Sequence, residues 1–335
     1  MSNRKPPFPY FKYAVKYPII WVVAAFVVFV SIVVYSGNWP AFYVIESSSM
    51  AHCVDEAQLG VLDMGDMVIA KSIDDENEVV TYMKGKRTAY ETYGSYGDVI
   101  FYRKNGYDDI TPVIHRALLW VEFNRTTQDS YDVPELKHHS NGWHVEGGPQ
   151  HWYDITGTLV LEDIGIDHND VRIGLGNILT NCFDAYDLTP HSGFITLGDL
   201  NRGRIDQGLL RDEHDIDGQP VGPTGGLPLR PIQSRWIIGM ARGELPGLGI
   251  VKLSSEDPDV NDRAPENIWS MFYFTIGIMI AVFILVPICL FFLEVSIRKK
   301  KMKKKIEEDK EEVEVIRARG PEKSLSAEEK PPPVN

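Results

Sequence analysis

The chain has 335 residues, 44% hydrophobic and 24% charged, with a net charge of −13 and three cysteines. These values exclude a collagen-like or mainly disordered chain and a small disulfide-stapled scaffold, and leave room for one large domain or two ordinary ones. The averages hide two stretches, 17–45 and 267–293, without a single charged side chain, each longer than the roughly 20 residues that cross a bilayer.

In chain order, residues 1–17 form a basic segment, with Arg4, Lys5, Lys12 and Lys16 and no acidic residue. A transmembrane helix is expected over 18–38. It reads as a retained anchor, because the apolar run continues to Ala41 without a small-x-small cleavage site and outlasts a signal-peptide core of about 7 to 15 residues. A second transmembrane helix is expected over 267–293, followed by a charged tail, 294–335, that opens on Arg298, Lys299, Lys300, Lys301, Lys303, Lys304 and Lys305. Lys and Arg enrichment marks cytoplasmic flanks, so both termini are expected in the cytoplasm of a two-span protein of the cell membrane. Trp21, Trp39, Phe42, Tyr43, Trp269 and Tyr273 suit the aromatic belts of the interface.

Between the spans, 39–266 is expected to form the extracytoplasmic domain; 46–266 carries 37 acidic against 18 basic side chains, a net of −19. Short β-branched runs separated by Gly, Pro, Asn and Asp predict strands at Met67–Lys71, Asp98–Tyr102, Val113–Phe123, Gly157–Leu161, Phe194–Leu197, Trp236–Ala241 and Ile250–Leu253. The polar stretch 124–152 and the Gly-, Pro- and Asp-rich stretch 211–231 read as inserted loops. The tail beyond Lys305 alternates charges in helical fashion, and its Pro-rich end is expected to be disordered.

Candidate chemistry begins directly after the first span with Ser47-Ser48-Ser49-Met50. Turns at Gly65-Asp66 and Gly97-Asp98 each open a strand, and His115-Arg116 follows. Then come Thr196-Leu197-Gly198-Asp199-Leu200-Asn201, Asp206 and, later, Ile238-Gly239-Met240-Ala241-Arg242-Gly243 with Gly249-Ile250-Val251. These boxes, in this order, resemble the type I signal peptidase family in its archaeal and eukaryotic, Ser-His branch, over about half of the chain. The resemblance implies a mainly β, signal-peptidase/LexA-like catalytic domain with large loop insertions, anchored by two transmembrane helices.

It also implies a serine endopeptidase that removes N-terminal signal peptides from exported preproteins after small residues. Ser49 would be the nucleophile and His115 its base, an arrangement suited to neutral pH because an unperturbed imidazole titrates near 6.5. Asp206 is preferred as the group orienting His115, with Asp199 as site support or alternative partner. Ser47 would assist the oxyanion hole with the Ser49 N–H. The chain departs from the family pattern at Ser48, commonly Gly, and at Ala51-His52-Cys53, where an acidic or polar residue and Pro are usual. The long spacing from His115 to Asp199 implies an insertion at about 124–188.

No cofactor or metal is required by this chemistry. His138, His139, His144 and His151 lack the spacing of a zinc motif and read as exposed loop residues. Cys53 and Cys182 are both expected on the oxidising side, and their pairing is open. The acidic balance argues against nucleic acid as a partner. The expected partners are preproteins bearing signal peptides, the lipid bilayer and the protein translocation channel. The rival readings are a non-catalytic membrane-anchored binding protein and a related peptidase acting on other membrane precursors.

Overall fold

The computed structural model describes residues 11–184, 189–207 and 229–318, with the backbone alone at 11–19, 180–184, 286–287 and 315–318. Its chain order is α1 (Phe11–Ser36), β1 (Phe42–Val44), β2 (Met67–Lys71), α2 (Tyr82–Thr88), β3 (Glu91–Thr92), β4 (Ser95–Tyr96), β5 (Val99–Tyr102) and β6 (Val113–Phe123). There follow β7 (Tyr131–Asp132), β8 (Trp143–Val145), β9 (Thr158–Ile164), β10 (Asn169–Gly174), α3 (Leu175–Asp184), β11 (Gly193–Leu197) and β12 (Ile237–Leu245). The last elements are α4 (Ile250–Glu256), α5 (Ile268–Ile280) and α6 (Val286–Ala318). The chain divides into two compact units, Ala25–Ile278, which holds every strand, and a second unit made of what precedes and follows it.

The strand-bearing unit is built on one antiparallel sheet in the order β1-β2-β12-β5-β6-β11, with β7 added to β6. Period-two alternation divides its side chains between two faces. On β5, Val99 and Phe101 join Ile45, Met50, Leu62 and Val68, while Ile100 and Tyr102 join Ala117, Phe194, Trp236 and Met240. All four β5 residues are therefore buried, each fully covered apolar side chain contributing about 1.5–3 kcal/mol. β5 and β6 pair with Ile100 opposite His115 and Val99 opposite Arg116. Neighbours on β6 thus point to opposite faces.

Between β6 and β11 the chain departs into a three-stranded sheet, β10-β9-β8, and α3. The stretch 124–152 was expected as a loop; it instead supplies β7, β8 and the buried Tyr131, Val133, Leu136, Trp143 and Val145. These pack on Leu118, Leu119 and Val121 of β6 and Ile195 of β11. Its apolar positions are spaced irregularly, and the two in β8 flank the exposed His144, so three residues were too few to reveal a period. Most of the expected loop at 211–231 lies outside the described residues.

The strand expected at Ile250–Leu253 is the helix α4. Ile250 and Leu253 are buried while Val251 is half exposed, which is a spacing of three rather than two. The Leu253 N–H bonds to the Gly249 carbonyl at 3.2 Å, closing the first turn.

A continuous helical run, Ile268–Glu314, joins α5 and α6 through a π-helical turn at Ala281–Leu285. Its 47 residues include a window of mean hydropathy 3.0, long and apolar enough to cross a membrane. Along α1, Ile20–Ser36 is also apolar but shorter. At its end Ser36 Oγ donates to the Ala70 carbonyl of β2 at 2.6 Å, which fixes where the chain enters β1. The end of the tail, expected to be disordered, lies outside the described residues.

Candidate active site

β1 delivers the chain to a short segment, Glu46 to His52, on which Ser49 sits. Ile45 precedes it, exchanging backbone hydrogen bonds with the β2 entry turn: Ile45 N–H to Asp66 O and Gly65 N–H to Ile45 O, both 2.9 Å. Met50 and Ala51, buried on its far side, pin it to the core. Between these anchors the Ala51 N–H closes a turn onto Ser48 O at 3.0 Å, and the Leu200 N–H holds Ser49 O at 2.9 Å. The latter approach requires Gly198, where a Cβ would come within 2.8 Å of that same carbonyl.

Held this way, Ser49 Oγ lies 2.9 Å from His115 Nε2. His115 Nδ1 lies 2.6 Å from Asp206 Oδ2. A carboxylate can only accept, so Nδ1 carries the proton and Nε2 presents its lone pair to the serine hydroxyl. The site is largely dry: the His115 and Asp206 side chains are 10% and 12% exposed. Ser47 Oγ stands 3.2 Å from Ser49 Oγ at the open edge.

Asp206 is itself gripped. Its Oδ2 also accepts from Tyr102 Oη at 2.9 Å and Thr196 Oγ1 at 2.6 Å. Gln207 in turn spans Thr196, accepting from its N–H at 2.9 Å and donating to its Oγ1 at 3.0 Å. Burial would raise the Asp206 pKa, but the charge His115 carries as imidazolium, together with these donors, outweighs it and holds the carboxyl below its usual range.

Asp199, the other candidate partner, does not reach His115. It faces Arg116, the next residue on β6, in a two-pronged pair of 2.8 and 2.6 Å. The Arg116 Nη1 fans out to the carbonyls of Thr92, Ser95, Tyr96 and Gly97 at 3.0–3.2 Å. Burial raises Asp199 as well, but here the Arg116 guanidinium prevails, so its pKa is lowered. His52 Nε2 lies 3.3 Å from the Asp199 carboxylate.

No family model matches the chain, and no curated protein or solved structure matches it. What the site can do therefore rests on its own geometry. A hydroxyl, an imidazole with one fixed tautomer and a buried carboxylate in line are the parts of a nucleophile with its base.

Ser49, His115, Asp206 and Ser47 come together, and Asp199 stands one strand position away on the Arg116 side. Tyr102 and Gln207 were not singled out from the sequence, and Thr196 was read only as part of its box, without this role. The signal for Tyr102 was register: it lies two residues from Ile100, which pairs with His115, and so shares that face. The insertion histidines are not gathered. His144 pairs with Glu162 at 2.9 Å and His151 with the Pro149 carbonyl at 2.6 Å. Among the described residues no set of three His, Cys, Asp or Glu side chains could hold a metal. Cys53 is a free thiol, and the Cys182 side chain lies outside the described residues.

Proposed function

We propose that this chain is a membrane-anchored serine endopeptidase that removes signal peptides from exported preproteins. The observation that carries it is the continuous line Ser49–His115–Asp206, with contacts of 2.9 and 2.6 Å. The resemblance of the surrounding boxes to type I signal peptidases supplies the substrate class. In this reading the two spans are 18–38, largely within α1, and 267–293, at the apolar start of the Ile268–Glu314 run, both termini are cytoplasmic, and the strand-bearing unit faces outward. The nucleophile follows the end of α1 by 13 residues, which suits cleavage close to the outer leaflet.

In the reaction, His115 Nε2 takes the Ser49 proton as Oγ attacks the scissile carbonyl. Asp206 stabilises the imidazolium without accepting its proton. The oxyanion meets the Ser49 N–H, for which no acceptor is present among the described residues, and the Ser47 hydroxyl. Collapse of the tetrahedral intermediate breaks the C–N bond, and His115 returns the proton to the departing amine. Water, deprotonated by the same imidazole, then releases the signal peptide from Ser49.

The test is cleavage of a model preprotein in proteoliposomes, with the new N-terminus sequenced. Cleavage after a small-x-small motif, abolished by both Ser49→Ala and His115→Ala, is expected. Unchanged cleavage by either variant would discard the assignment. Retention of intact preprotein by a folded, inactive wild type would favour a binding protein instead.

A further inference from the structure

His52 stands where the resembled family usually carries a different residue, and its surroundings are unusually defined. The ring is mostly buried, with 14% of the side chain exposed. On one side it meets Asp199, whose carboxylate already takes both prongs of Arg116. On the other it lies under Gly94, at the turn between β3 and β4. A Cβ there would fall 2.7 Å from His52 Cε1. Gly94 has φ +73°, so this turn both requires glycine and leaves room for the ring.

The same turn region supplies the carbonyls that hold Arg116. The chain Arg116–Asp199–His52 is therefore a second line running from β6 to the nucleophile segment, parallel in logic to His115–Ser49. One strand grips the segment twice. His115 reaches Ser49 from one face of β6, and Arg116 reaches, through Asp199, a residue three positions further on. Between the two grips the Leu200 N–H, adjacent to Asp199, holds the Ser49 carbonyl.

We propose that His52 is a positioning residue for Ser49: by donating its Nε2 proton to Asp199 it docks the far end of the nucleophile segment and sets the approach of Oγ to His115. This deepens the peptidase reading and rests on it. The expected effect falls on the chemical step, because His52 is three residues from the reacting oxygen and is spent on an internal partner. Displacing a reacting group by about 1 Å costs on the order of 100-fold in rate.

The experiment is the rate at which a fluorophosphonate phosphonylates Ser49 in the full-length, membrane-reconstituted protein, beside preprotein cleavage. The variants are His52→Gln, which keeps a donor at the reach of Nε2, and His52→Leu, which keeps volume without one. Labelling should slow about 10- to 100-fold in His52→Leu and largely recover in His52→Gln. Cleavage should lose kcat with KM little changed. Equal labelling rates in the Gln and Leu variants overturn the proposal while leaving the peptidase reading intact. A wild type not labelled at Ser49 overturns both.

Discussion

Asp199 and Asp206 are buried beside cationic or proton-donating side chains, whereas the buried Asp63 and Asp66 at the turn entering β2, and the half-buried Glu244 of β12, have backbone N–H groups as their hydrogen-bond partners. Asp66 accepts from Asp63 N–H at 2.8 Å and Gly247 N–H at 2.7 Å; Glu244 accepts from Gly60 N–H at 3.0 Å. Burial, joined at Glu244 by repulsion from Asp66 and Asp63 and at Asp66 by repulsion from Asp63, and only partly offset by these donors, pushes Asp66 up to about 7 and Glu244 up to about 8; burial also raises Asp63. Asp63 Oδ1 and Glu244 Oε1 are buried with no hydrogen-bond partner. The same burial that favours the neutral acid in one region is overruled in the other. Burial acts on all five acids, and only where a cationic partner stands beside the carboxyl is it outweighed.

The largest expected break in this contrast is Asp206→Asn. An amide there no longer fixes the His115 proton on Nδ1 and should lower the rate of preprotein cleavage about 10⁴-fold, with a folded protein by circular dichroism. Asp199→Asn attacks the other paired acid and leaves the Arg116 charge without its counterion. Denaturant unfolding should show a loss of about 3 kcal/mol, and a fall in activity without loss of stability would contradict the strut assigned to that pair. Tyr102→Phe sharpens the comparison by deleting one donor to Asp206. It should cost about 1.5 kcal/mol, roughly tenfold in the labelling rate of Ser49.

The region around the β2 entry turn gives the smallest effect, and its sign follows from proton linkage. Acids with folded pKa values raised above the unfolded ones hold protons that the unfolded chain releases, so stability is full in acid and is lost as pH rises through about 7 and 8. The thermal midpoint of the strand-bearing unit should therefore fall between pH 5.5 and 8.5. Glu244→Gln should flatten that fall; an unchanged slope would remove Glu244 as a contributor. Asp199 and Asp206, with lowered values, contribute the opposite way, adding stability above about pH 4 and losing it only in stronger acid.

Much of the sheet was legible because its strands alternate and are bracketed by turns: Met67–Lys71 and Val113–Phe123 begin and end where the sequence pattern does. Three contacting residues of the site were legible from their order in the chain. Which aspartate meets His115 was legible only as a preference for Asp206, since both follow β11 within nine residues of its end, and the choice depends on how the 198–206 segment folds back. That return is made by the Asp206 N–H bonding to the Thr196 carbonyl at 3.0 Å. His52 was visible only as a departure, because its meaning comes from Asp199 and Gly94, 147 and 42 positions away.

The pairing of β6 with β11 bears on how such a protein can be remodelled. Val121 and Gly193 are partners in that ladder, so the segment between Phe123 and Gly193 leaves and re-enters the sheet at adjoining points, with β7 paired to β6 on the way. In topology the segment is one long hairpin loop, exchangeable for a two-residue turn. Energetically it is not dispensable, since its side chains cover Leu118, Leu119, Val121, Ile195 and Leu197. A shortened chain would keep β6 and β11 in register yet uncover these apolar side chains, and would need polar replacements among them to avoid aggregation.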